Sequence, residues 1–170
     1  LRWSERRPAP GGRLRMPPRI KILEAAGAIG DGRVRVWRAL DGSLRAKVTS
    51  SDGSRSYDVI LKRCGQSCYE AYSTDNGTSL RGYTGYPIIA VLMLEGAIPR
   101  DERVERALRG FPWREMNERL RKYDLVTEEA FRWAEKRGVE RSTIESYMAR
   151  AYNTLKGLTI KYSPPPGGAG

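Results

Sequence analysis

Apolar and polar positions change their period twice along this chain. From Ile20 to Ile29 most positions are apolar or small, which predicts a short helix stopped near Gly30. The period then becomes two. Arg33-Val34-Arg35-Val36-Trp37, Leu44-Arg45-Ala46-Lys47-Val48 and Tyr57-Asp58-Val59-Ile60-Leu61-Lys62 alternate apolar with polar, the last less cleanly, as half-buried strands do. Asp41-Gly42 and Asp52-Gly53 separate them, and Asp-Gly is a strong hairpin signal because tight turns need positive φ. Cys68 to Ser73 supplies a fourth strand after Gly65-Gln66-Ser67. The pattern predicts an antiparallel meander.

Asp75 to Gly85 is a polar, glycine-bearing connection, and from Tyr86 onward the pattern is helical. Pro87 suits a first helical turn, and the nearly all-apolar run Ile88 to Leu94 predicts a helix central to the core. A helix over Asp101 to Leu108 opens with acids, which favour a helix N-terminus. Pro112 starts another, with Met116, Leu120 and Tyr123 on one face. Thr127 caps the next, and a last helix runs from about Arg141 to Lys156, stopped by Gly157. The expected class is α+β, a small antiparallel β-meander followed by a helical region of about five helices. Four segments follow: a basic arm over 1–18, disordered or extended; a helix-plus-meander module over 19–85; a helical region over 86–162; and a disordered tail over 163–170. Met16 is an alternative start.

Charge turns this fold towards a class of partner. The chain of 170 residues carries a net charge of +11, and a balance that basic points to polyanions. Arginine outnumbers lysine, and its planar fork grips phosphate in bidentate fashion. There is no histidine, which excludes Ser-His and Cys-His nucleophiles and every His-containing zinc site. Two cysteines cannot close a four-thiolate zinc site. No apolar run approaches the ~20 residues of a membrane span, and the N-terminus lacks the apolar core of a secretory signal. A cytoplasmic protein that is not an enzyme, with no metal and no cofactor, is the expectation; its oligomeric state is left open.

Residues 127–156 hold the most informative pattern. Ala134 is small where two helices must cross, Gly138 can take the left-handed conformation of a sharp turn, and Val139, Ile144 and Tyr147 point inward to pin the second helix. In that spacing, Thr127 to Leu155 resembles the helix-turn-helix superfamily of DNA-binding domains. The resemblance covers about 29 of the 170 residues. It implies duplex DNA as the partner, with Arg141, Ser142, Glu145 and Ser146 at base edges and Arg137, Arg150 and Lys156 at phosphates. The sequence departs from the family at Glu140, where a Ser or Thr cap is commoner, and at Glu145 on the presumed DNA side. A capping box of Ser142 with Glu145 would move the helix start by about two residues.

The meander offers a second surface. With Val34 and Val36 facing the core, Arg33, Arg35 and Trp37 share the other face, joined by Arg45 and Lys47 of the next strand. Cations beside a flat ring suit single-stranded nucleic acid. Together with the Arg/Pro/Gly arm, this gives the alternative reading, an RNA-binding component of a ribosome or other ribonucleoprotein particle. Three further features are set aside. Cys64 and Cys68 flank a three-residue loop and are either a disulfide or, the plainer reading, two small half-buried residues. Arg81 to Tyr86 lacks the ending of a P-loop and reads as a turn. Glu102–Arg106, Glu105–Arg109 and Glu115–Arg119 read as i,i+4 ion pairs on exposed helices.

Overall fold

Each period-two segment forms a strand, and the Asp-Gly turns place Gly42 at φ 84° and Gly53 at φ 76°. In a computed structural model that describes residues 6–166, the order is α1 (Ile20–Gly30), β1 (Val34–Arg38), β2 (Leu44–Thr49), β3 (Ser56–Gly65), β4 (Cys68–Ser73), α2 (Asn76–Ser79), α3 (Tyr86–Glu95), α4 (Glu102–Ala107), α5 (Trp113–Leu120), α6 (Tyr123–Glu135), α7 (Arg141–Lys156) and β5 (Thr159–Tyr162). The fold is α+β, with a five-stranded sheet in the order β1-β2-β3-β4-β5. Its pairs are antiparallel except β4 with β5, which is parallel.

The arm is extended, and its described part is not disordered. Leu14 N–H donates to Ile160 O at 2.8 Å and Gly11 N–H to Tyr162 O at 2.7 Å, so the arm adds an antiparallel ladder beyond β5. Leu14 is 4% exposed and anchors it in the core. One apolar side chain with an unpaired strand edge beside it is enough to order a segment whose composition reads as tail. The tail behaves likewise at its start, where Ser163 N–H donates to Ala71 O at 2.8 Å. Arg2 and the rest of residues 1–5, and residues 167–170, lie outside the described residues.

No boundary falls at 85–86. One hydrophobic cluster runs from Leu14 to Ile160, because a meander has a single apolar face that needs a cover. That cover is α3, apolar on every side and buried from Pro87 to Met93. It packs against β1, β3 and β4 on one side and α1 on the other. Close approach on the far side of α1 depends on glycine. A Cβ on Gly27 would lie 2.6 Å from Trp113 Nε1, and one on Gly30 would overlap the Glu105 carbonyl.

Several local expectations are corrected. Helix α6 begins at Tyr123, so Thr127 lies one turn inside it and its hydroxyl donates to Tyr123 O at 2.7 Å instead of capping. Arg121, at φ 57°, ends α5. The face of Met116, Leu120 and Tyr123 is thereby divided between two helices. Of the three expected ion pairs only Glu102–Arg106 forms, at 3.9 Å. Glu105 is 5% exposed and instead accepts from Nε and Nη2 of Arg100, each at 2.9 Å, while Arg109 donates to Gly30 O and Arg119 to the Met116 sulfur. Cys64 and Cys68 form a disulfide across the end of the β3–β4 hairpin. The plainer reading of that pair fails because Gly65 is the partner of Cys68 and the irregularity between Arg63 and Gly65 leaves Cys64 beside that pair, with its Cα 5.1 Å from that of Cys68.

Candidate nucleic-acid interface

The helix pair resembling a helix-turn-helix has the expected interior. Ala134, Ile144 and Tyr147 are fully buried, Val139 is half-buried, and Gly138 takes φ 85°. Its outer face differs in electrostatic character. Arg141, placed to read bases, donates from Nε to Glu145 at 2.8 Å and pairs with Glu128 at 2.7 Å, with its guanidinium 4.6 Å from the centre of the Phe131 ring. Glu145 is therefore occupied and no capping box forms; Glu140 is the N-cap residue, without a side-chain bond. Ser142 and Ser146 are exposed. Arg137 lies over Trp133 at 4.2 Å and donates to its carbonyl, Arg150 sits 5.9 Å from the Tyr147 ring, and Lys156 is exposed. Across α6 and α7 six acids (Asp124, Glu128, Glu129, Glu135, Glu140, Glu145) match six bases (Arg132, Lys136, Arg137, Arg141, Arg150, Lys156). None of the chain's net charge sits on this pair.

Much of the excess lies on the sheet. Strand register lines up three rows on its outer face: Arg35–Lys47–Asp58, Trp37–Arg45–Ile60–Tyr72, and Lys62–Glu70–Lys161–Arg13. Six cations thus surround two aromatic rings, with two carboxylates among them. Trp37 is 45% exposed, and Arg35 lies 6.0 Å from its ring centre. Arg45 pairs with Asp41 at 3.4 Å and Lys47 with Asp58 at 3.5 Å, both in solvent, where such pairs contribute little. Arg33 does not belong here. It precedes β1 and is turned inward, bonded to Asp31 at 2.9 Å and to Thr49 O at 2.6 Å. Lys62, Tyr72, Lys161 and Arg13 were missed because no periodicity reveals which strands are neighbours.

A third feature, a hollow around Arg81, has no periodic signal at all. A cavity of ≈ 630 Å³ is lined by Lys21, Arg81, Asn117, Arg121, Lys122, Tyr123 and Asp124. A second, of ≈ 360 Å³, shares Lys21, Arg81 and Asn117 and is also lined by Arg55, Tyr57, Asn76, Tyr86 and Arg114 and by the carboxylates of Glu24 and Glu118. Beneath both lies a buried polar chain: Lys21 Nζ donates to Glu24 Oε2 at 2.9 Å, and Asn117 Nδ2 to Glu24 Oε1 at 2.9 Å. Burial alone would push the Lys21 ammonium down, but Glu24 and the nearby Tyr83 and Tyr123 hold it above the ordinary lysine value. The 75–85 connection shapes the wall. It is a turn into α3, as read, but it also projects Arg81 and Asn76 into the hollow.

Asp75 caps α2 by accepting from Thr78 N–H at 3.1 Å, and a Cβ on Gly85 would overlap its carboxylate. Burial pushes the Asp75 carboxyl above its usual value, against the lowering effect of Ser73 and Thr78. A folded pKa above the unfolded one means that the charge costs stability at neutral pH, and the cost disappears below the unfolded value near 3.8. Asp75→Asn keeps the capping oxygen and removes the charge. Urea unfolding at about pH 4 and about pH 7 should show the variant gaining on the parent as pH rises; an equal difference at both values would mean that the carboxylate is adequately solvated.

Fold and surface together define an α+β protein with one balanced helical face, one basic hollow and one basic sheet face, whose Arg45, Ile60, Lys62 and Glu70 are flanked by Pro164–Pro166. The chain belongs to the family described as "Uncharacterised conserved protein UCP014422", whose model matches residues 14–161. That span takes in α1 to α7 and β1 to β4 whole and ends one residue short of the end of β5. No curated protein and no solved structure matches the chain. Among the described residues no group of three acidic or cysteine side chains could hold a metal ion, and no helix is long and apolar enough to cross a membrane.

Proposed function

We propose that this protein binds nucleic acid and that the outer face of the sheet takes a single strand, RNA being the natural form of it. The observation behind this reading is the register that sets Trp37 and Tyr72 in one row with cations on either side. A base stacks on the exposed Trp37, and a second can reach Tyr72, half-buried against Tyr162, while phosphates meet the flanking Arg and Lys side chains. A ribonucleoprotein component is the role that suits such a surface.

Duplex DNA binding through α6 and α7 is the second reading, favoured by the left-handed turn at Gly138 and by the exposed Ser142 and Ser146 at the start of α7. Its weakness is Arg141, already neutralised by two carboxylates. Comparing single-stranded RNA with duplex DNA by fluorescence anisotropy separates the two. Trp37→Ala with Arg35→Ala should weaken single-strand binding about 10- to 100-fold, from one lost stack and one lost phosphate contact, and leave duplex binding unchanged. Arg141→Ala should do the reverse if α7 reads bases. Loss by Arg141→Ala alone would move the proposal to the helix pair.

A further inference from the structure

The hollow around Arg81 is separate from the sheet face, and its chemistry is more specific. We infer that it is a binding site for a mononucleotide, with the phosphate held by Arg121 and Lys122 of the α5–α6 junction. The inference is independent of strand binding by the sheet.

The argument begins at the floor. Lys21 and Glu24 are an ion pair whose side chains are only 13% and 4% exposed. Two apolar side chains would serve a core at least as well, since desolvating a pair costs about what its attraction returns. What the pair does here is fix two groups under an open hollow. Glu24 orients the Lys21 ammonium and takes the Asn117 amide N–H, which leaves Asn117 Oδ1 without a partner among the described residues. An acceptor held in that way matches a ligand hydroxyl, such as those of a ribose.

The walls supply charge that the protein leaves uncompensated. Arg114 is paired with Glu118 at 3.3 Å and with Asp52 at 3.2 Å. Arg121 and Lys122 make no ion pair among the described residues and line the larger cavity from the α5–α6 junction, beside Asp124; Arg55, also without an ion pair there, lines the smaller cavity from the β2–β3 turn. Two adjacent cations on the larger cavity, Arg121 and Lys122, suit a phosphate dianion. Cavities of ≈ 630 and ≈ 360 Å³ that share a floor have the size of small-ligand sites. Tyr57, Tyr86 and Tyr123 line them, Tyr57 packed edge to face on Tyr86 and Tyr123 lying under the Lys21 ammonium at 5.2 Å, so a base would meet ring edges there. A floor within a hollow is reached by a small molecule or a chain end, while a duplex meets only the rim.

The ligand chemistry has two sources, a free nucleotide or the 5′-phosphorylated end of a strand. Calorimetric titration of the full chain with adenosine 5′-monophosphate, adenosine, and a hexanucleotide with and without a 5′-phosphate tests both. The monophosphate, the phosphorylated strand or both should bind at least tenfold more tightly than the counterpart lacking phosphate. Preference for the monophosphate assigns the free nucleotide, and preference for the strand assigns the chain end. Arg121→Gln with Lys122→Gln should lower that affinity tenfold or more at an unchanged melting temperature. It should also leave binding of the unphosphorylated strand intact, as expected if the sheet binds that strand. Equal binding with and without phosphate, or a double variant that binds like the parent, overturns the assignment. Trp37→Ala with Arg35→Ala should not affect monophosphate binding, so failure of the sheet reading would be seen separately.

Discussion

Gly30→Ala is expected to cost about 3 kcal/mol or more of unfolding free energy, and with it roughly 6–12 °C of melting temperature. The added methyl would occupy the position of the Glu105 carbonyl, a backbone atom that no rotamer change can move. Glu105 itself is fixed by its two bonds to Arg100. The end of α1 is gripped from both sides as well: Arg109 donates to Gly30 O at 2.9 Å, and Gly110 N–H donates to Asp31 Oδ1 at 2.7 Å. Relief therefore requires moving α1 away from α4, which opens the core under Ile22 and Leu23. Gly32→Ala, two residues on, is the control. Nothing lies within 4 Å of its Cβ position, so only its φ of 71° opposes the change, at about 1–2 kcal/mol. Urea titration of both variants decides the matter. If Gly30→Ala is the milder of the two, the close approach of α1 to α4 does not limit the fold.

That glycine illustrates what a sequence reveals and what it hides. Gly30 was legible as the end of a helix, because a stop signal is local. Its second role, admitting a carbonyl 75 positions further along the chain, depends on packing that no local pattern encodes. The same division holds elsewhere. The first four strands, α1, α3 and α7 follow from period and turn chemistry. Strand β5 is four residues long and its partner is parallel, so neither alternation nor a hairpin turn announces it. The arm was misjudged for a related reason: its composition says tail, while the exposed edge of β5 and the single residue Leu14 make it part of the sheet. Of the surface residues, Arg35, Trp37, Arg45 and Lys47 were found because two adjacent strands sufficed. Lys21, Glu24 and Asn117 come from three turns of two distant helices and could be grouped only by the fold. Counting charge by segment would have shown from the sequence alone that α6 and α7 are balanced.

The largest functional effect expected is that of salt on strand binding. The six cations on the outer face, Arg13, Arg35, Arg45, Lys47, Lys62 and Lys161, would each displace a counterion from the bound strand. With a slope of about −0.7 per contact for single strands, log affinity should fall by about 4 per decade of salt, so a fourfold rise weakens binding by two to three orders of magnitude. Deleting the arm is a poor way to test the contribution of Arg13, because it also removes Leu14 from the core and uncovers the edge of β5. Charge neutralisation in place avoids that. Arg13 and Lys161 are exposed on adjacent strands, so Arg13→Gln with Lys161→Gln should leave unfolding within about 0.5 kcal/mol of the parent. The same pair should reduce the slope by about 1.4, two contacts' worth. The helix pair provides the contrast: Arg150→Gln with Lys156→Gln lies outside the sheet face and should leave the slope unchanged. A slope that drops with the helical variant and holds with the sheet variant would mean that phosphates lie along α7, and the sheet face would lose its assigned partner.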